Sequence, residues 1–190
     1  GIANKIVFAY GMLAGSLPDF WVGLLLIYFL FYLLGLFPGP VGQLDFGIAA
    51  PRRITGAYVI DAAVAGDWNA FRSALRHLVL PVLTLVIVYM PLVLKTARAA
   101  MEEIMGSAFI LQARASGLPR TIQLRYALRN ALPPVVTVTG ILVWFLLGGA
   151  VLVETVFAWG GLGQYAVESV VNSDYAPLQA FVLLAALFTV

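Results

Sequence analysis

The chain has 190 residues, 62% of them apolar and 11% charged, with a formal net charge of +2 and a mean hydropathy of +0.98. A soluble domain carries about 25% charged residues, so this composition excludes an ordinary water-soluble globule and points to lipid. Cysteine is absent and His77 is the single histidine, which excludes disulfide and thiol chemistry and leaves one imidazole, too few to make a metal site by itself.

The runs Trp21–Phe37, Leu78–Leu94 and Val135–Val153 contain no Asp, Glu, Lys or Arg. Each approaches the roughly 20 residues that cross about 30 Å of hydrocarbon. They are too long and too continuous for the alternating strands of a membrane barrel. The expected fold class is therefore an all-α membrane protein, a bundle of transmembrane helices.

In chain order, the first apolar segment covers about 6–37. It is interrupted by Pro18, where a kink or break is expected because proline lacks an N–H and clashes one turn back. Pro38-Gly39-Pro40 then stops the helix. The loop 38–77 is polar and mixed in charge. Asp67 suits an N-cap, and Trp68, Phe71, Leu75 and Leu78 recur at helical spacing with Arg72 and Arg76 on a second face. This pattern predicts a short amphipathic helix, lying on the membrane surface or packed on its own bundle.

The second span covers about 78–97. The connector that follows, Lys95–Leu132, holds Lys95, Arg98, Arg114, Arg120, Arg125 and Arg129 against Glu102 and Glu103. A cation at the bilayer centre costs roughly 2.5–3.5 kcal/mol on insertion scales, so this stretch is no span, and its excess of Lys and Arg places it in the cytosol. Alternation then places 38–77 and 158–177 outside, although 38–77 carries four arginines of its own. Pro133-Pro134 suits a helix start, opening a third span over about 133–153. A fourth begins near Leu178 and is apolar for only 13 residues to Val190. With Gly1 in place of an initiator Met, the expectation is a single transmembrane domain over 1–190, truncated at both ends.

The connector 98–132 is the segment that carries function. Ser107–Ser116 reads as a helix with Phe109, Gln112, Ala113 and Ser116 on one face. Gly117 permits a turn at its C-terminus, and Pro119 suits the first turn of the next helix, Arg120–Asn130. Small residues at the elbow allow another protein to approach closely.

Lys95-Thr-Ala-Arg98, Met101-Glu-Glu103, Ala113-Arg-Ala-Ser-Gly-Leu118 and Arg125-Tyr-Ala-Leu-Arg-Asn-Ala-Leu-Pro-Pro134 together resemble the cytoplasmic EAA loop of ABC importer permeases, closest to the dipeptide, oligopeptide and nickel subfamily. Flanking segments are similar in the same order: Ser16-Leu-Pro-Asp-Phe20, His77-Leu-Val-Leu-Pro81, Glu154-Thr-Val-Phe-Ala-Trp-Gly-Gly-Leu-Gly163 and Asp174-Tyr175. The chain departs from the general motif at Leu111, where glutamate is usual. The resemblance implies a loop that docks into a groove of a cytosolic ATPase subunit, with Gln112, Ala113, Arg114, Ser116, Gly117 and Leu118 as the docking set. It also implies the partners: two cytosolic ATPase subunits, a second permease subunit of like or identical sequence, an extracytoplasmic solute-binding protein and the lipid bilayer, with no nucleic acid. The implied location is the bacterial or archaeal plasma (inner) membrane, crossed several times.

Other signals are weaker. Neither Lys5 nor Lys95 sits in a phosphate-cradling loop, so ATP hydrolysis is expected on separate subunits. Glu154, at the end of the third span, is a candidate pathway or gate residue, since acids near the membrane interior are functional suspects. Asp61 and Asp67 read as caps or solvated charges, Met101 and Met105 as packing, and His77 as an interfacial group. No catalytic set can be assembled, so neither an enzymatic role nor a cofactor is expected. The functional expectation is the permease subunit of an ATP-driven importer of peptides or related small solutes. The rivals are an ion-gradient-driven secondary transporter, which would want ionisable residues at mid-span, and a non-transporting scaffold whose basic loop binds anionic lipid.

Overall fold

The computed structural model describes residues 10–11, 16–147 and 150–189, and every described element is helical. Positions 6–9 and 12–15 of the expected first span, and 148–149 of the third, lie outside the described residues. The protein is an all-α membrane protein. Its elements are α1 (Asp19–Leu26), α2 (Tyr58–Ala65), α3 (Trp68–Met105), α4 (Ala108–Ala115), α5 (Arg120–Leu147), α6 (Val151–Val156), α7 (Leu162–Val171) and α8 (Tyr175–Thr189). Among the described residues, α3 and the Arg120–Leu146 stretch of α5 are the helices long and apolar enough to cross a bilayer. The chain separates into two compact units, one including 89–146 and the other 17–88 with 147–190.

In the larger unit Pro18 is extended, at φ −62° and ψ 138°, and α1 starts immediately after it. The expected interruption is thus a clean helix start. Past Leu26 the helix widens into a π-helical stretch, Ile27–Leu33. The α1 helix packs on α6, α6 on α7 and α7 on α8. Gly23 makes the first contact possible, because a Cβ there would lie 3.2 Å from the Phe157 ring and 3.6 Å from the Thr84 side chain.

The expected separate amphipathic helix at 68–76 is not separate: it is the first part of α3, 38 residues without interruption. The face it buries also differs. Ala70, Ser73, Ala74, His77, Leu80 and Thr84 are buried, whereas Trp68 is 69% exposed and Leu75 46%. Apart from Leu80, the side chains turned inward here are small or polar, whereas Trp68 and Leu75 stay outward. Small residues let the helix backbone approach its neighbours closely, and satisfied polar groups add to that packing. The Thr84 hydroxyl, fully buried, donates to the Leu80 carbonyl at 2.9 Å, so it brings no unsatisfied donor into the interior.

In the smaller unit the expected helix start at Pro133-Pro134 is likewise absent. Both prolines lie inside α5, which runs from Arg120. Lacking N–H groups, they leave the carbonyls of Arg129 and Asn130 without ladder donors. Nearby side chains bond to the same helix: Thr137 donates to the Pro133 carbonyl at 3.0 Å, Thr139 to Val135 at 2.8 Å, and Asn130 to Tyr126 at 2.8 Å. The interior of this unit is lined with small residues, Ala100, Ala113, Ala127 and Ala131, closed over by the fully buried Ile110.

Candidate functional site

The segment between α3 and α5 is a tight helical elbow built from local rules. At its entry Ser107 serves two helices. Its hydroxyl donates to the Ile104 carbonyl at 2.7 Å, closing the end of α3, and accepts the Ile110 N–H at a long 3.5 Å, as the N-cap of α4. Serine suits both tasks because one hydroxyl can donate and accept.

At its exit α4 ends in a Schellman motif. The Leu118 N–H bonds the Ala113 carbonyl at 3.1 Å and the Gly117 N–H bonds Arg114 at 3.0 Å, with Gly117 at φ +72°. This is the pairing that satisfies orphan carbonyls at a helix end, and it requires a left-handed residue, for which glycine has no Cβ penalty. No atom lies within 4 Å of where a Gly117 Cβ would stand. The glycine is therefore required by the backbone and not by crowding within this chain. Gln123 braces the turn from α5, its Nε2 donating to the Leu118 carbonyl at 2.7 Å. The Phe109 and Tyr126 rings meet at 5.8 Å across the two helices.

Burial sorts the six elbow residues singled out from sequence. Gln112, Arg114, Ser116 and Gly117 are exposed, Leu118 is half-buried, and Ala113 is 7% exposed and faces the interior. The inward positions of α4 are Ile110 and Ala113, one turn apart; Phe109 and Gln112 look outward. Sequence reading missed Ile110 and Gln123, the two residues that pin the elbow. The signal for Gln123 was its place one turn into α5, within reach of the carbonyls that α4 leaves open. Arg114, Arg120, Arg125 and Arg129 are exposed and, among the described residues, make no ion pair; Arg98 pairs with Glu102 at 2.7 Å. The outward face of the elbow thus carries Arg114 and the small residues Ala115, Ser116 and Gly117, beside the exposed Phe109 and Leu111.

Glu154 lies in the other unit. Its Oε2 accepts the Gln164 N–H at 2.9 Å, in the first turn of α7, whose N-cap, Gly161, has no side chain. A carboxylate there satisfies an orphan donor and complements the positive end of the helix dipole. A Cβ at Gly161 would overlap that carboxylate, and one at Gly163 would press on Val151. The spacing Glu154…Gly161-Leu-Gly163 therefore encodes a staple between α6 and α7. The same hairpin is tied to the 38–57 loop by Gln43, whose Nε2 donates to the Trp159 carbonyl at 2.8 Å.

No group of three or more His, Cys, Asp or Glu residues among those described could hold a metal. His77 is buried. Its Nδ1 lies 3.0 Å from the Ser73 carbonyl and its Nε2 is 3.8 Å from Asp45. Asp61 is fully buried and accepts four hydrogen bonds from residues 54–56. Those bonds, led by the Thr55 N–H, hold its carboxyl below the usual aspartate range against the opposing effect of burial.

Residues 1–190 match the family of binding-protein-dependent transport system inner membrane components. Among curated relatives, the chain is 44% identical over 170 residues to the probable D,D-dipeptide transport system permease protein DdpB of Escherichia coli, covering 89% of this chain and 50% of that protein. It is 41% identical over 186 residues to the dipeptide transport system permease protein DppB of Haemophilus influenzae, covering 96% and 54%. It is 39% identical over 176 residues to the di/tripeptide transport system permease protein DppB of Pseudomonas aeruginosa, covering 92% and 52%. The chain spans about half the length of the curated relatives it matches.

Proposed function

Because the chain belongs to the binding-protein-dependent transport system inner membrane components, we propose that it is part of the permease subunit of an ATP-driven importer of peptides or related small solutes. In this reading it performs no chemistry of its own. Two cytosolic ATPase subunits hydrolyse ATP, a second permease subunit completes the pathway, and an extracytoplasmic binding protein delivers cargo. The permease subunits are set in the plasma membrane of a bacterium or archaeon, with this chain crossing it several times.

The observation that carries the reading is the elbow 107–123. It is a short, internally pinned structure with Arg114 exposed on its outward face, interposed between the two most membrane-competent helices. A rigid projection of this kind can transmit a displacement that a flexible loop would absorb. Gln112, Arg114, Ser116, Gly117 and Leu118 form the docking face, and Ala113 supports it from beneath. Closure of the ATPase pair shifts the elbow, and an interface with two discrete arrangements switches the pathway between inward-open and outward-open. The switch needs contacts that differ between those states, because a partner biases an equilibrium only by that difference. Glu154 is a candidate rim group of the pathway, its carboxylate already engaged at the amide end of α7.

The test is site-directed crosslinking in native membranes. A single cysteine at Gln112 or Ser116, both exposed in a chain without native cysteines, should crosslink to the ATPase subunits, and one at Ala113 should react poorly. Labelling of Gln112 and Ser116 positions only from outside the cell would refute the assignment.

A further inference from the structure

Among the described residues, His77 Nε2 is the one buried side-chain nitrogen or oxygen without a hydrogen-bond partner. The side chain is 1% exposed. Its Nδ1 lies 3.0 Å from the Ser73 carbonyl, one turn back on α3. A carbonyl only accepts, so Nδ1 carries the hydrogen, and in the neutral ring Nε2 is then a bare acceptor. It faces another acceptor, Asp45 Oδ1, 3.8 Å away on the 38–57 loop.

Ser73 aims that carboxylate. Its hydroxyl donates to Asp45 Oδ2 at 2.8 Å and accepts the Asp45 N–H at 2.9 Å. Ser73 and His77 lie four residues apart on the buried face of α3, so one carboxylate reaches both. The other charged groups of this unit are engaged elsewhere or face solvent. Asp61 clamps the N–H groups of residues 54–56, and Asp19, Asp67 and Glu154 accept the N–H groups of Phe20, Ala70 and Gln164. Arg52, Arg53, Arg72, Arg76, Glu168 and Asp174 are exposed.

Protonation reverses the sign of the contact. An imidazolium presents an N–H at Nε2 where the neutral ring presents a lone pair, and a charge-assisted bond replaces two facing acceptors. Burying a lone cation is costly, and the facing carboxylate offsets that cost. Histidine ordinarily changes charge between about pH 5 and pH 8. The loop it would hold is a bridge: Gln43, two residues before Asp45, donates to the Trp159 carbonyl of the α6–α7 hairpin at 2.8 Å.

We propose that His77 is a protonation site that fastens the 38–57 loop to α3 through Asp45. The added bond exists only in the protonated form, so its contribution is present at acid pH and is lost as pH rises through the imidazole range. All of its parts lie within the larger unit, and it stands whatever solute the transporter carries.

The experiment uses the full transporter containing this chain, in phosphatidylcholine nanodiscs. Hydrogen exchange is read by mass spectrometry from about pH 8 down to about pH 5.5, across the histidine range, and corrected for the intrinsic rate. The reporters are the Asp45 N–H, bonded to Ser73, and the Ile48 N–H, which bonds the Asp45 carbonyl at 3.2 Å. The wild type should gain about tenfold in protection at these two amides on acidification. His77→Gln and Asp45→Asn should each abolish the gain, since one removes the titrating ring and the other the charge it meets. The amides of residues 54–56, clamped by Asp61, are the control and should stay equally protected in all three proteins. Protection at Asp45 and Ile48 that is flat with pH, or that falls on acidification, would overturn the proposal. So would a gain that survives either substitution. If His77→Gln loses the control amides as well, the ring is needed for folding, and Asp45→Asn, at a side chain 49% exposed, decides by itself.

Discussion

Replacing Gly117 separates what the elbow needs for folding from what the proposed docking would need. The residue sits at φ +72° with open space where a Cβ would be. Within this chain, then, a side chain costs only what the left-handed backbone imposes: roughly 1–2 kcal/mol for alanine and a fraction of that for asparagine, which visits this region more readily. Gly117→Asn should therefore leave the folded elbow nearly intact, and Gly117→Ala should weaken it modestly. Gly117→Asp is also tolerated locally, but in a closed docking groove it would bury an unpaired carboxylate at a cost of about 3–5 kcal/mol. That corresponds to a loss of at least about 100-fold in ATPase docking. The assay compares three quantities on reconstituted transporter: thermal stability, ATP hydrolysis and solute uptake. The expected pattern is stability in the order Gly, Asn, Ala, with uptake per ATP collapsing for Asp while the fold persists. Normal coupled uptake by Gly117→Asp would refute docking at this turn.

Four further outcomes follow from the geometry. Ile110→Ala removes the one fully buried large side chain of the elbow and should destabilise it by about 2–5 kcal/mol, read as faster proteolysis between α3 and α5. Gly161→Ala should destabilise the α6–α7 hairpin by driving a methyl into the Glu154 carboxylate, and adding Glu154→Ala should recover part of that loss in a thermal melt. Ala158 is held at φ +50° at the end of α6, so Ala158→Gly should raise stability by up to about 1 kcal/mol. The Asp61 carboxyl has a lowered pKa in the folded state, so its contribution is fully present above the ordinary aspartate value of about 3.9 and is lost as pH falls through the lower folded value. Amide exchange at Ile54, Thr55 and Gly56, corrected for its intrinsic rate, should be flat from pH 5 to 8 and lose protection only on further acidification; loss of protection near pH 6 would contradict the clamp.

Composition and charge were sufficient for the all-helical membrane class, because the cost of placing charge or unpaired backbone in hydrocarbon admits few alternatives. Local chemistry was equally legible at the elbow. Gly117 followed by Pro119 announced a helix end and a helix start, and the Schellman turn and α5 realise both. Tertiary structure decided matters of face and continuity. Periodicity picked out Trp68, Phe71 and Leu75 as a stripe, yet Trp68 and Leu75 are exposed and Phe71 is only half-buried. The smaller side chains on the other face pack more closely, and that comparison exists only once a second helix is present. Pro133-Pro134 read as a boundary because a proline pair removes two ladder bonds, yet the helix runs through them, since the loss is local and packing along α5 is not. Asp61 read as a cap or a solvated charge and Glu154 as a suspect one; Asp61 holds the N–H groups of residues 54–56 and Glu154 that of Gln164, five to ten residues away. Which donors a carboxylate meets depends on how the chain turns back on itself, and no spacing rule for single residues contains that information.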